Sequence, residues 1–269
     1  AAPPSVSSVY DAAPDMQEML WIVISQSGRS TNLIAAAQAA AAAGATVVAL
    51  VNDETSPLAA QADVVLPLHA GPELSVAATK SYICALTAAA QLVGCWLEDA
   101  ELLAALESLP DRLDEAWSRP WPQAEARLVA ARGLYVLGRG PGFGIAQEAA
   151  LKFKETCGLH AEAFSSAEVH HGPMALVKSG FPVLMLSQND ETRAGMADLA
   201  RKITQAGADL LLAGFAAPGA TALPSIGFHP ALEPILMAQS FYRMINALSL
   251  ARGYDPDRPP NLNKITETL

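Results

Sequence analysis

The sequence predicts an α/β fold made of two similar halves, each a parallel β-sheet flanked by helices in three layers. Short apolar segments of strand length alternate with longer alanine-rich or amphipathic segments. This alternation is typical of parallel sheets that are covered on both faces. The same order of segments then recurs along the chain, since Ser187 lies 162 positions after Ser25 and Gly207 lies 163 positions after Gly44. An internal repeat with this spacing predicts two units of like topology.

The first half begins with an apolar segment that ends in a polar turn. Three strands are predicted here, at 20–25, 46–51 and 64–68. The alanine-rich segment after the first strand predicts a helix that Ser30 or Thr31 caps and that Gly44 ends. A long apolar helix is expected from about residue 74 to residue 95.

The second half repeats this order and adds a leading unit. Four strands are predicted, at 134–138, 181–187, 209–212 and, more weakly, 223–228. Three helices are predicted, at 145–156, 191–206 and 232–251. The leading strand and helix have no counterpart in the first half, because that counterpart would fall before residue 1. The first half is therefore expected to lack its opening strand and helix, either because the sequence is truncated or because the two halves truly differ. We favour truncation, because a start inside a sheet leaves a strand edge uncovered.

The expected domain boundaries follow from these segments. They are 1–98 for the first, N-terminally incomplete domain, 99–131 for a helical connector, 132–252 for the second domain and 253–269 for a tail that contributes to the site. The connector contains Pro110, Pro120 and Pro122, which we expect to act as helix breaks.

Composition limits the class of protein. The chain has 269 residues, of which 51% are hydrophobic and 16% charged, as in globular domains. The net charge of −10 argues against nucleic acid as a partner. Three cysteines without CxxC spacing argue against a disulfide framework. The N-terminus has no signal-peptide pattern, and the longest apolar stretch, 83–97, is too short for a membrane span. A soluble, cytoplasmic protein is expected.

The segment 25–31, Ser-Gln-Ser-Gly-Arg-Ser-Thr, joins the first predicted strand to a helix. Ligands of open α/β sheets bind at the carboxyl ends of strands, where helix N-termini attract anions. Several hydroxyls and one glycine would let this loop wrap a phosphate. The alternative is an ordinary helix N-cap with polar turn residues. The spacing differs from that of a Walker loop.

The glycine-rich segment 138–144 also lies between a strand and a helix. A dinucleotide fingerprint would need glycine where Phe143 stands, and an acidic residue at the end of a following strand. Neither condition is met, so NAD binding is not expected. We interpret these glycines as permitting close backbone packing at the turn.

The segment 148–173 is rich in carboxylates, lysines and histidines. Glu148 and Glu155 lie four and three positions from Lys152, so the three share one helix face. They could be surface ion pairs, which contribute little stability, or the carboxylates and histidines could act in acid–base chemistry. A metal site is not expected, because adjacent histidines on an irregular segment rarely bind one ion together. His69 and His229 are interpreted as structural.

Taken in order, several short motifs resemble the isomerase part of glutamine–fructose-6-phosphate aminotransferase, which is built from two sugar isomerase (SIS) domains. The resemblance spans nearly the whole chain. It rests on Ser25 to Gly28, Ala70 to Glu73, Val76 to Lys80, Leu137 to Gly140, Ala149 to Glu155, His160 to Ala163, Glu168 to Pro173, Asn261, Leu262 and Lys264.

The resemblance implies roles for particular residues. Ser25, Gln26, Ser27 and Ser30 match positions that hold the sugar phosphate. Three residues match catalytic positions: Glu155 the base that moves a proton between C1 and C2, His171 the histidine that opens the sugar ring, and Lys264 the tail lysine at the sugar carbonyl. Val76 and Ala78 match positions that line the sugar, although the family commonly has Ser where Ala78 stands.

The resemblance also implies partners and activity. We expect a homodimer in which His171 is donated across the interface, a sugar phosphate as substrate, and no cofactor or metal. The implied reaction is aldose–ketose isomerisation or deamination of a hexosamine 6-phosphate. The alternative is a non-catalytic sugar-phosphate-binding regulator. There is no glutamine-hydrolysing segment with an N-terminal cysteine, which argues against glutamine-driven synthesis by this chain.

Two further departures from the family concern the first half. Its expected Cys-Gly-x-Ser turn is absent, and Arg29 replaces the usual Glu. In the second half, the loop at 187–191 has lost a hydroxyl and gained two carboxylates. We expect it to repel phosphate, which leaves one phosphate site per chain, at Ser25.

Overall fold

A computed structural model describes residues 15–264, and within this range the chain forms two compact units. The first unit contains the described residues up to Leu74, together with Ala78–Ala89 and the end of the tail at Asn263 and Lys264. The second unit contains Ser75–Ala77 and Ala90–Leu262. No helix within residues 15–264 combines the length and apolar character that crossing a membrane requires.

The first unit is built on a sheet of three parallel strands in the order β1-β2-β3. The strands are β1 (Leu20–Ser25), β2 (Thr46–Val51) and β3 (Val64–Pro67). Helix α1 (Thr31–Ala42) follows β1, a short 3-10 turn (Ala59–Gln61) follows β2, and helix α2 (Lys80–Leu97) begins in this unit. The register places Ile22 opposite Val48 and Ser25 opposite Val51, so the ends of β1 and β2 lie side by side.

Side-chain alternation along β2 packs the two faces of this sheet against different helices. Val47, Ala49 and Val51 form one core cluster, which includes Ala37 and Ala40 of α1. Val48 and Leu50 point to the other face, because neighbouring strand residues alternate. There they pack with Leu68 and with Cys84, Ala85 and Ala88 of α2. The sheet is therefore the middle of three layers.

The second unit is built on five parallel strands in the order β5-β4-β6-β7-β8. The strands are β4 (Gly133–Gly138), β5 (His160–Ser165), β6 (Pro182–Leu186), β7 (Asp209–Ala213) and β8 (Thr221–Leu223). The helices that begin in this unit are α3 (Ala100–Trp117), α4 (Pro122–Leu128), α5 (Pro141–Cys157), α6 (Arg193–Gln205) and α7 (Glu233–Ala251). Short 3-10 turns lie at Glu168–His170 and Pro173–Leu176.

Helices also cover both faces of this second sheet. Met196, Leu199 and Ile203 of α6 pack on one face, against Val183 and Met185 of β6 among others. Helix α5 contacts β4, β5 and β6, and it also packs against α7. The rings of Phe153 and Phe241 meet between α5 and α7, with centroids 5.4 Å apart. Helix α5 of this pair carries Glu155, the candidate base.

The predicted α/β class with two similar halves is confirmed. Strands β1, β2 and β3 follow one another in the same parallel order as β6, β7 and β8, and a helix follows the first strand of each set. The second unit has the additional leading strand β4 and helix α5 that the sequence predicts. Within the described residues, the first sheet has no equivalent of them.

Four details differ from the sequence predictions. Strand β5 was not predicted, because its charged residues hide an alternation in which Ala161 and Ser165 are buried and Glu162 is exposed. Helix α3 continues through Pro110, where a break was expected. Leu102 and Leu109 are buried on the packed face of α3, and this burial offsets the lost hydrogen bond. Helix α2 begins at Lys80 rather than near residue 74, and β8 ends at Leu223.

Candidate functional site

The loop between β1 and α1 makes a tight turn at the carboxyl edge of the first sheet. Gly28 has a φ of +61°. A Cβ atom added there would lie 2.1 Å from the Oγ of Ser56, a fully buried side chain. Only glycine fits this left-handed position without displacing the core beneath it. The path of the loop therefore depends on this residue.

Hydroxyls and main-chain amides converge in this loop. The amide of Gly28 donates to Ser25 Oγ at 3.0 Å, and the amide of Arg29 donates to Ser27 Oγ at 3.3 Å. Ser30 occupies the N-cap position of α1, but its side chain makes no capping hydrogen bond, so the predicted capping role is wrong for this residue. The loop thus places amides and hydroxyls at the positive end of a helix dipole, which favours an anion.

Asn52, directly after β2, ties this loop to the segment that follows β3. The main-chain amide of Asn52 donates to the carbonyl of Gln26 at 3.3 Å. Its side chain donates to the carbonyl of Gly71 and accepts from the amide of Ala70, both at 2.8 Å. The three loops at this edge of the sheet are therefore held together by the main chain and side chain of one residue, Asn52, which sequence analysis did not single out.

Arg29 extends from the loop to Asp53. The guanidinium and the carboxylate are 2.8 Å apart and partly exposed. A hydrogen bond from the Thr55 hydroxyl, followed by the bond from Arg29, lowers the pKa of Asp53 below its ordinary value. Arg29, which stands where a Glu was expected from the resemblance, is thus paired with the ionised Asp53 carboxylate.

Glu73 occupies the N-terminus of α2 with its own carboxylate. It accepts hydrogen bonds from the Ser81 amide at 2.8 Å and the Ser81 hydroxyl at 2.5 Å. Burial alone would raise the pKa of Glu73, but these hydrogen bonds outweigh it and lower the pKa. This helix end is therefore filled by a carboxylate of the chain itself.

In the second unit, Glu155 belongs to a chain of hydrogen-bonded side chains along α5. The Lys152 ammonium lies 2.8 Å from Glu155 Oε2 and 3.0 Å from Glu148 Oε1. The Tyr242 hydroxyl of α7 donates to the same Glu148 oxygen at 2.7 Å. The Lys152 ammonium therefore bridges two carboxylates, and the Tyr242 hydroxyl is the last group of this hydrogen-bonded chain.

The interpretation of Glu148 and Lys152 as surface ion pairs is wrong. Lys152 is only 4% exposed and Glu148 only 9%, because α5 turns this face toward α7. The Glu155 side chain keeps 21% of its surface exposed, so the chain of contacts leads from the core to the surface. A buried charge must be paired, and this network pairs each one.

Glu155 also lines a cavity of about 340 Å³ in the second unit. Leu151, Lys154, Gly158, Tyr254, Pro260 and Leu262 complete its lining. The last three belong to the segment after α7, so residues of this segment lie beside the Glu155 carboxylate in the cavity. Tyr254 and Pro260 were not singled out by sequence analysis, because nothing local in the sequence indicates where the tail packs.

The remaining predicted residues lie as follows. His171 is exposed after the Glu168–His170 turn, and its amide donates to the Glu168 carbonyl at 2.9 Å. Val76 belongs to the second unit, where its amide donates to the Asp257 carbonyl at 3.3 Å. Ala78 and Lys264 belong to the first unit, and both are partly exposed. The structure brings together the loop residues 25–30 in one unit and Glu155 with its buried partners in the other.

The glycine-rich turn before α5 packs closely, as predicted. A Cβ atom at Gly138 would lie 2.4 Å from the carbonyl oxygen of Gly142. A Cβ atom at Gly142 would lie 2.5 Å from Gln188 Oε1. These glycines therefore serve the contact between β4, α5 and the loop after β6.

The architecture and the loop define a class of protein: an α/β chain with a repeated parallel-strand unit and an anion-type loop after a strand of the first unit. The comparison with known families specifies it. The family model described as "SIS domain" matches residues 7–94 and 127–213. The chain belongs to the SIS-domain family, and it carries the domain twice.

Curated relatives agree with this assignment. The chain is 35% identical over 280 residues to a glutamine–fructose-6-phosphate aminotransferase of Aeropyrum pernix, covering 97% of this chain and 45% of the relative. It is likewise 35% identical to the enzyme of that name from Pyrobaculum aerophilum, covering 97% of this chain and 46% of the relative. The chain thus spans about half the length of these proteins, in the region related to their isomerase part.

Solved structures share the fold. A protein from Silicibacter pomeroyi DSS-3, assigned as a phosphosugar isomerase, superimposes with a TM-score of 0.90 at 42% identity, covering 95% of this chain and 79% of that one. A glucosamine-6-phosphate deaminase from Thermotoga maritima superimposes with a TM-score of 0.79 at 23% identity, covering 97% and 80%. The second likeness concerns the fold alone.

Proposed function

We propose that this chain binds a hexose or hexosamine 6-phosphate and moves a proton between C1 and C2 of the sugar. The outcome is aldose–ketose isomerisation or, for a 2-amino sugar, deamination. The observation that carries the proposal is the Glu155 carboxylate, which lines a cavity and is held at 2.8 Å by a buried ammonium. A carboxylate fixed in this way suits a general base.

The phosphate is assigned to the loop of the first unit. Ser25, Gln26, Ser27 and Ser30 would surround it with hydroxyls and amides at the N-terminus of α1. The amides of Gly28 and Arg29, which donate to serine hydroxyls in the structure, can turn to phosphate oxygens instead.

The chemistry at C1 and C2 is assigned to three groups. His171 opens the sugar ring by moving a proton between the ring oxygen and the anomeric hydroxyl. Glu155 removes the proton from C2 of the open aldose and returns it to C1 of the enediol or enolamine. In deamination the resulting C2 imine adds water and releases ammonia. Lys264 polarises the carbonyl or forms a Schiff base with it.

The remaining assignments concern the surroundings of the site. Val76 and Ala78 line the sugar. His171 is exposed, which is compatible with its donation to a partner subunit in a homodimer. All three cysteines are free thiols, which suits a cytoplasmic setting.

The decisive test is Glu155→Gln, assayed for ammonia release from glucosamine 6-phosphate and for interconversion of fructose 6-phosphate and glucose 6-phosphate. We expect kcat to fall by about 100-fold or more, since a positioned base contributes about that factor, while KM changes little. Glu101→Gln, at an exposed carboxylate in the first turn of α3, is the matched control. Equal turnover by Glu155→Gln and an active wild type would refute the assignment.

A non-catalytic sugar-phosphate sensor is the second candidate. It is favoured by the anion-type loop, which needs no catalytic group to bind a phosphate. Calorimetry that shows binding of a hexose 6-phosphate, together with NMR that shows no product after long incubation, would select this function over the enzyme.

A further inference from the structure

Tyr242 lies at the far end of the hydrogen-bonded chain that reaches Glu155, and neither the family comparison nor the sequence motifs assign it a role. We propose that Tyr242 is a positioning residue: its hydroxyl holds the Glu155 carboxylate in place through Glu148 and Lys152. This inference rests on the proposed function, in which Glu155 is the base. It adds a residue from α7, 94 positions away from Glu148 in the sequence, to the machinery.

One oxygen of Glu148 is shared by two donors. Glu148 Oε1 accepts from the Tyr242 hydroxyl at 2.7 Å and lies 3.0 Å from the Lys152 ammonium. The two donors therefore divide the negative charge of one oxygen. Without the hydroxyl, that oxygen attracts the ammonium more strongly, because a buried carboxylate seeks full satisfaction.

The Lys152 ammonium lies between two carboxylates. Its 2.8 Å contact with Glu155 competes with its contact with Glu148. A stronger pull from Glu148 moves the ammonium away from Glu155. Glu155 is the most exposed of the three side chains, so it has the most room to move once its partner withdraws.

The Tyr242 side chain is held in place by its surroundings. It is 6% exposed and adjoins Phe241, whose ring packs edge-on against Phe153 of α5. The aromatic contact fixes α7 against α5, so the hydroxyl approaches Glu148 from a well-defined direction. A rigid second layer of this kind is what precise placement of a catalytic group requires.

The kinetic test is Tyr242→Phe, with Tyr135→Phe as the matched control. Tyr135 is also buried in the second unit, and its ring packs against Phe164 and Phe181, far from any role in the proposed chemistry. We expect kcat of Tyr242→Phe to fall about tenfold, the factor that corresponds to one hydrogen bond to a charged group. KM should stay unchanged, because the phosphate handle is untouched, and Tyr135→Phe should retain the wild-type kcat.

A double-mutant cycle on urea unfolding tests the same connection without relying on activity. Tyr242→Phe and Glu155→Gln do not exchange a direct hydrogen bond, so independent sites would give additive effects. Coupling through Lys152 should instead change the unfolding equilibrium constant by about threefold or more beyond additivity. The cycle of Tyr135→Phe with Glu155→Gln should be additive.

The outcomes separate this proposal from the proposed function. An inactive wild type with a coupled cycle removes the enzyme assignment and retains the link from Tyr242 to Glu155. An active wild type with kcat of Tyr242→Phe equal to that of Tyr135→Phe overturns the positioning role and leaves the enzyme assignment intact. If the effects of Tyr242→Phe and Glu155→Gln on unfolding are additive, Tyr242 is not connected to Glu155 and the proposal is overturned.

Discussion

The loop after β1 and the loop after β6 occupy the same place in the two halves of the repeat, and they differ in what fills them. After β1, hydroxyls and glycine surround the N-terminus of α1. After β6, Ser187 and Gln188 are buried, and Arg193 donates to both of their carbonyl oxygens. The second loop is therefore closed by its own side chains.

Two carboxylates complete the closure of the second loop. Asp190 accepts hydrogen bonds from the Thr192 amide and hydroxyl and from the Gln188 side chain. Glu233, which is 3% exposed, reaches across from α7 and accepts from the amide of Asn189 at 2.6 Å and the amide of Phe228 at 3.0 Å. An internal carboxylate thus takes the main-chain donor that an external anion would need.

The glutamate near the long helix of the first half behaves differently. Glu73 precedes α2 and accepts hydrogen bonds from the amide and hydroxyl of Ser81, in the first turn of that helix. A strand–loop–helix unit can therefore serve a ligand or serve the fold, depending on whether a carboxylate of the chain takes the main-chain donors of its loop. The closure of the second loop by Glu233 supports the proposal of one phosphate site per chain.

The largest effect is expected from a change that breaks the first loop. Gly28→Ala forces a left-handed residue to carry a Cβ against Ser56, at a cost of about 2 kcal/mol or more. Affinity for a hexose 6-phosphate, measured by calorimetry, should fall about 30-fold or more. Gly195→Ala, in open space on α6, is the control and should bind normally. Equal affinities would show that the loop does not hold the phosphate.

A smaller effect is expected from opening the second loop. Glu233→Ala leaves two main-chain amides without their carboxylate partner, so the free energy of unfolding should fall by about 1.5 kcal/mol. Urea denaturation measures this change, and Glu191→Ala, at an exposed neighbouring carboxylate, should have almost no effect. Sugar-phosphate affinity should be unaffected in both. Lost affinity in Glu233→Ala alone would break the contrast between the loops.

The smallest effect concerns acid stability of the second loop. Burial alone would raise the pKa of Asp190, but hydrogen bonds from Thr192 and Gln188 lower it below the ordinary value of 3.8. Ionised Asp190 therefore stabilises the folded state above that ordinary value, and this contribution is lost as pH falls through the lowered pKa.

Unfolding curves of wild type and Asp190→Asn at several pH values test this expectation. The wild type should be more stable by about 1 kcal/mol at pH 7, and the difference should shrink below about pH 4. Asp198→Asn, at an exposed residue of α6, provides the comparison. A difference that is constant down to pH 2 would remove Asp190 from the account of the loop.

Much of the fold follows from local pattern. The apolar segments at 20–25 and 46–51 form β1 and β2 with the predicted bounds. The continuous apolar run of β2 is the one that is buried on both faces, as expected for a central parallel strand, whereas Leu20, Ile22 and Ile24 of the edge strand β1 are exposed. Strand β5 escaped prediction because an edge strand tolerates exposed charge at alternate positions. The helix break predicted at Pro110 is wrong, because the packing of α3 outweighs the local cost of a proline in a helix.

The candidate site divides in the same way. The loop at Ser25 could be located from sequence, since a polar, glycine-containing turn after an apolar strand is a local signal. The spacing of Glu148, Lys152 and Glu155 placed them on one helix face, but it could not say whether that face is buried. The face is buried because α7 packs against it, with the Tyr242 hydroxyl bonded to Glu148.

The sequence by itself determined the alternation of strands and helices, the repeat and the position of the first loop. These depend on residues that are neighbours along the chain, where side-chain period and glycine act directly. Tertiary structure alone decided that Lys152 is buried between two carboxylates, and that Glu233 closes the second loop while Glu73 binds Ser81 in the first turn of α2. Burial and hydrogen-bond direction depend on the element packed alongside, and that element is distant in sequence.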